Sequence, residues 1–261
     1  MNTLNLSILY SNMKYMRKLF YLFLIPVLFS CNNSNRIDNT YMDEYRYPMD
    51  SLINPKVFVF QRTDSIEKLT FYYEQMKVVG NNRIFIYTRL NHDNNSQYRD
   101  SIVYYYQQKN LIIKDKYILV RDFKTNSDKL SKCEILEYTD HLNKRVIKSK
   151  CSFPLNESIN STFYNVSTFD KKITFKLFNR DVECLKMNDL VQVRGYHKYI
   201  PFVGKKIEMT GYTILAKGIG MVYASITDKE SKKNYTYQLK EIIDYSTYHI
   251  KYPIPTADRD L

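Results

Sequence analysis

The chain has 261 residues, 44% hydrophobic and 25% charged, with 25 Tyr, 14 Phe and no Trp. That apolar and aromatic content excludes a disordered polypeptide, six glycines exclude a collagen-like repeat, and four cysteines are too few for a disulfide-stapled miniprotein. The net charge of +12 is dispersed along the chain with no long basic block, so it reads as a lysine-rich solvated surface, and no nucleic-acid partner is expected.

Residues 1–12 are uncharged and precede MKYMRKLF, so translation is expected to start at Met13 or Met16. Lys14, Arg17 and Lys18 form a basic cluster, and Leu19 to Phe29 is then almost wholly apolar, interrupted by Pro26. This run is much shorter than the ~20 residues a membrane-spanning helix needs. A basic start, a short apolar run and a small residue before a cut mark residues 1–30 as a secretory signal peptide. Leu28-Phe29-Ser30-Cys31 resembles the bacterial lipobox, in which a signal peptidase cuts just before a diacylated cysteine. The resemblance implies an acyl lipid, such as palmitate, on Cys31, and it implies a lipoprotein of the cell envelope. Two or three acyl chains, at ~0.8 kcal/mol per buried methylene, anchor a protein durably where one chain does not.

Residues 31–55 are polar after the cysteine and read as a flexible tether. Some lipoproteins of the Bacteroidetes type carry an acidic cluster here that directs them to the cell surface. NNSNRI (32–37) lacks one, and by that resemblance the protein is expected on the outer membrane, facing the periplasm. Asp50-Ser51-Leu52, Asp64-Ser65-Ile66 and Asp100-Ser101-Ile102 resemble the O-glycosylation signal of the same bacteria, which makes Ser51, Ser65 and Ser101 candidate modification sites.

From residue 56 the hydrophobic period is mostly two, the pattern of strands. The expected strands are 57–60, 69–77, 83–88, 102–107, 111–113 and 116–121 in the first half. In the second half they are 133–138, 145–150, 161–167, 172–177, 191–196, 205–215, 220–227 and 235–243. A rival helix over 64–76, with Ile66, Leu69, Tyr73 and Met76 on one face, loses to the β-branched and aromatic content. Short strands without βαβ alternation predict an all-β fold: one large curved antiparallel sheet or half-barrel meander spanning 56–250, with few short helices and a disordered tail at 251–261. The stretch AKGIGMVYASITDKESKKNYTYQLKEI (216–242) resembles the closing hairpin of bacterial envelope lipoproteins. Those proteins are broadly similar to half-barrel carriers of lipids or lipoproteins. The likeness is one of pattern, and no residue role carries over. Gly218-x-Gly220 is not followed by a helix and is not read as a phosphate loop.

Cys133 and Cys151 are equidistant from Leu142 and are expected to oppose each other in a hairpin turning at 141–143, close enough for a disulfide. The alternative is that they, with Cys184, are buried thiols. His92, His141, His197 and His249 form no ligand array, so no metal and no cofactor beyond the acyl lipid is expected. No Gly-x-Ser-x-Gly elbow or paired carboxylate stands out, and no catalytic residue is assigned. Three readings remain. The favoured one is a non-catalytic, membrane-anchored binding or carrier module for a lipid, lipopeptide or glycan. The others are an accessory subunit with an envelope-protein partner and, last, a glycan hydrolase. A large apolar cavity would favour the first, a filled core with an exposed apolar patch the second, and converged carboxylates the third.

Overall fold

The computed structural model describes residues 42–63, 69–90, 98–107, 110–122, 127–141, 146–154, 157–200 and 204–253. Thirteen strands form one antiparallel sheet: β1 (Lys56–Arg62), β2 (Leu69–Val79), β3 (Asn82–Leu90), β4 (Tyr98–Gln107), β5 (Asn110–Asp122), β6 (Ser127–Lys132), β7 (Glu134–His141), β8 (Val146–Pro154), β9 (Ile159–Leu177), β10 (Arg180–His197), β11 (Gly204–Ala216), β12 (Gly220–Asp228) and β13 (Asn234–Asp244). The spatial order is β6-β5-β4-β3-β2-β1-β13-β12-β11-β10-β9-β8-β7. Every neighbouring pair is consecutive in the chain except β1 and β13, which pair antiparallel with Phe58 opposite Ile242. The all-β expectation holds, and the sheet curls until it is nearly a closed barrel.

The two edges of this sheet, β6 and β7, are separated in sequence by Cys133 alone. Before that joint the chain pairs with β5, Tyr117 opposite Lys132, and after it with β8, Glu134 opposite Ser152. The Cys133 amide still donates to the Lys116 carbonyl at 2.8 Å. One bent strand therefore serves both edges and leaves each half with one unpaired side, which makes the seam of the barrel.

β1 reads VFVF because both of its faces are covered. Phe58 and Phe60 pack with Leu177, Cys184, Val222 and Leu239 in the main core. Val57 and Val59 pack with Phe71, Leu90 and Tyr248 of the one described α-helix, α1 (Tyr245–Lys251).

Several boundaries differ from expectation. Residues 42–55, read as tether, are tied down over two short 3-10 turns, Met42–Tyr45 and Met49–Ile53. Tyr45 and Leu52 are fully buried, the Tyr45 hydroxyl donates to Glu183, and the Gly218 amide donates to the Glu44 carbonyl at 2.7 Å. The pairs read as 111–113/116–121 and 161–167/172–177 are the continuous strands β5 and β9. Each carries a charged interruption beside a bulge, at Val103/Tyr104 of the neighbouring β4 and at Lys186/Met187 of the neighbouring β10, and a bulge lets a strand continue past a break in alternation. Cys151 faces Ile135 in the β7–β8 register, not Cys133 as direct opposition required, because the ladder is offset and bulged at Ile135/Glu137. The strand reading of 69–77 over a helix matches β2, while 64–68 lie outside the described residues.

Candidate functional site

The barrel holds a half-open cavity of about 730 Å³, within the roughly 300–1,000 Å³ of small-molecule sites. Alternate residues of β2 to β5 form one wall. Tyr72 and Glu74, Tyr87 and Arg89, Asp100 and Ile102, and Lys116 and Ile118 all line it. Strand alternation explains the set, since these residues sit across from one another: Tyr72 opposite Arg89, Arg89 opposite Asp100, Asp100 opposite Ile118. The opposite wall comes from β9 to β11, with Ser167, Met187, Val191, Val193, Thr213 and Leu215. Tyr47 and Met49 of the N-terminal segment also line the cavity.

The first wall is aromatic and charged. Tyr72 and Tyr87 stack with ring centroids 5.3 Å apart, and Phe85 stacks on Tyr104 at 5.8 Å. Arg89 pairs with Asp100 at 3.4 Å, and its Nε is buried without a hydrogen-bond partner among the described residues. Burial pushes the Glu74 carboxyl up to about 8, opposed only by the charge of Arg46, so Glu74 holds its proton at neutral pH. Burial also raises both tyrosine hydroxyls, Tyr87 strongly. The exposed fraction of these side chains faces the cavity.

The second wall is aliphatic, with hydroxyls. Asp189 shares the face of Met187, Val191 and Val193 by alternation. Its carboxylate accepts from Ser167 Oγ and Thr213 Oγ1, each at 2.6 Å. Burial raises the pKa of its carboxyl and the two hydroxyls oppose that rise. Among the described residues no group of three or more His, Cys, Asp or Glu side chains is placed to hold a metal ion. No described helix is long and apolar enough to cross a membrane.

Cys31 and Ser65 lie outside the described residues. Ser51 is exposed in the second 3-10 turn. Ser101 is half-buried with its hydroxyl 2.9 Å from that of Thr88. Cys133 and Cys151 are both buried as free thiols in one cluster with Phe153, and Cys184 is buried in the main core. His92 and the His141 side chain lie outside the described residues, and His197 and His249 sit on different elements. Sequence reading passed over Glu74 and Asp189. The signal was there, in TFYYEQM and MNDLVQV, as a carboxylate on the inward phase of an apolar alternation.

No protein family and no curated protein matches the chain. Solved structures similar to it include a candidate lipoprotein of Parabacteroides distasonis, 11% identical, with a TM-score of 0.43 over 76% of this chain and 98% of that one. A candidate exported protein with a YmcC-like fold from Bacteroides fragilis is 13% identical, with a TM-score of 0.42 over 73% and 96%. The hypothetical lipoprotein YmcC of Escherichia coli is 7% identical, with a TM-score of 0.30 over 74% and 88%.

Proposed function

We propose that this chain is a lipid-anchored protein of the cell envelope whose barrel is a non-catalytic binding or carrier module for an apolar or amphiphilic ligand. The anchoring half of this reading rests on the basic cluster, apolar run and Leu28-Phe29-Ser30-Cys31. The binding half rests on one observation, the cavity of about 730 Å³ with an aromatic, charged wall facing an aliphatic one. A ligand body with an apolar end and a hydrogen-bonding end matches both walls at once. The competing reading, an accessory subunit of an envelope complex, draws on exposed Tyr196, Tyr199, Ile200 and Ile207 around the tip of the β10–β11 hairpin.

Native mass spectrometry of residues 32–261 purified from a bacterial periplasm separates the two. The expected result is an added mass that is lost on denaturation, identifies as a lipid or lipopeptide, and is reduced in Val191→Trp, which places a larger side chain in the cavity. A clean mass in both forms, with no uptake from added lipid micelles, rejects the binding reading.

A further inference from the structure

The seam of the barrel brings together three side chains that the cavity reading does not use as a group. Cys133 is the joint between β6 and β7, Cys151 lies on β8, and Lys116 lies on β5. Both thiols are about as buried as any side chain in the protein, at 3% and 2% exposure. Lys116 is itself buried, its ammonium 4.0 Å from the centroid of the Phe163 ring, and Phe163 stands opposite Cys151 across the β8–β9 ladder. The Ser131 hydroxyl, on β6, donates to the Pro154 carbonyl on β8 at 3.4 Å, so the strand ends around the thiols are already in contact.

We propose that Cys133 and Cys151 are a thiol–disulfide site that locks the barrel seam, with Cys151 the attacking sulfur and Lys116 the positioning cation. The neighbouring Cys133 thiol and the positive charge of Lys116 lower the Cys151 thiol against the opposing effect of burial. The Cys151 sulfur beside it, followed by burial, pushes Cys133 up, so it is the proton-holding partner. Cys184 shows the contrast: burial raises it to about 11, and it stays an inert thiol.

The step balances with an external disulfide as oxidant, the class an oxidising compartment supplies. The Cys151 thiolate attacks one sulfur of that disulfide, breaking its S–S bond and expelling a thiolate. Cys133 passes its proton to the expelled thiolate and attacks the Cys151 sulfur. The S–S bond of the pair forms, and the oxidant's second half leaves as a thiolate that takes its proton from solvent. Two thiols of the chain are oxidised and one disulfide is reduced to two thiols. β6 and β7 each have an unpaired side, so local opening at the seam gives the oxidant its access. Once formed, the bond ties the joint to β8 and fixes both edges of the sheet.

The test uses the full chain, purified with its thiols reduced and then treated with oxidised glutathione at pH 7, so it does not depend on the chain being exported. The expected product is about 2 Da lighter than the reduced chain. After proteolysis it yields a linked Cys133–Cys151 peptide, with Cys184 still open to alkylation under denaturing conditions. Amide exchange in β6 and β7 slows on oxidation, and it does not slow in Cys133→Ser. Lys116→Gln lowers the rate at pH 7 by about tenfold and moves the midpoint of the rate–pH profile upward. Cys133 and Cys151 both still open to alkylation after prolonged treatment, or linkage of either through Cys31 or Cys184, overturn the proposal. A Lys116→Gln rate and midpoint equal to wild type remove Lys116 from it.

Discussion

The two walls of the cavity are built from the same antiparallel ladder and differ in nearly everything chemical. On the β2–β5 side, inward positions carry Tyr72, Glu74, Tyr87, Arg89, Asp100 and Lys116. On the β9–β11 side they carry Met187, Val191, Val193 and Leu215, and Asp189, on the same phase of β10, accepts a hydroxyl hydrogen bond at each carboxylate oxygen. The first wall carries unspent polar capacity into a low-dielectric space. The second holds its polarity within itself. The difference shows that a barrel with uniform strands can still have a polar pole and an apolar pole, and that the ionisation of the polar pole follows from burial more than from ion pairing.

The largest way to break the comparison is to remove the framework of the apolar wall. Gly211, on β11, lets the β12 backbone approach so closely that an added Cβ would sit 1.8 Å from the Ser225 carbonyl oxygen. Gly211→Val is expected to cost about 3–5 kcal/mol and to lower the melting temperature by about 10 °C or more, read by calorimetry.

Glu74 sharpens the comparison through pH. Its folded value of about 8 lies above the ~4.3 of an unfolded glutamate, so between those values the folded chain holds a proton that the unfolded chain has released. Stability contributed by this group is therefore present below pH ~4.3 and is lost as pH rises toward 8, by up to ~1.4 kcal/mol per unit and about 2–4 kcal/mol in all once cavity water screens it. Glu74→Gln is expected to flatten the melting temperature between pH 5 and 8 and to exceed wild type at pH 8.5. An unchanged slope would show that Glu74 ionises as an ordinary exposed carboxylate.

Asp189 gives the smallest effect. Asp189→Leu leaves the Ser167 and Thr213 hydroxyls without their acceptor and is expected to cost about 1–3 kcal/mol. Adding Ser167→Ala should recover part of that loss, since the orphaned hydroxyl goes with it. Full additivity in denaturant titration would show that the two groups do not act together.

Much of this architecture is legible in the sequence where alternation is strong. VFVF, RIFIYT and GMVYASIT mark β1, β3 and β12 closely. What was not legible has specific causes. β6, SDKLSK, has no apolar alternation because it is an edge with one side unpaired, and charged residues are how such edges are kept from pairing elsewhere. YMDEYRYPMDSL looks like linker because its three deeply buried residues, Tyr45, Met49 and Leu52, are spaced among charges that bond outward, such as Glu44 with Lys217 at 3.1 Å. The cavity could be anticipated from surplus Tyr and Phe in strands. Its polar pole could not, because Glu74, Arg89 and Asp100 meet only once registers are set, and register is a long-range property.

The ladder also has a closed order. Sheet neighbours are chain neighbours at every step but one, and that step joins β1 to β13, where Lys56 Nζ lies 2.6 Å from the Asp244 carboxylate. The beginning and end of the barrel are thus already side by side, while the natural gap falls at Cys133. A circular permutant that links the two ends and is cut at that joint would keep every strand pair and turn the molecule into a plain up-and-down meander. Every strand pairing would then join chain neighbours, while the seam contacts of β5 with β7 and of β6 with β8 stay long-range, and a chain of lower contact order folds faster.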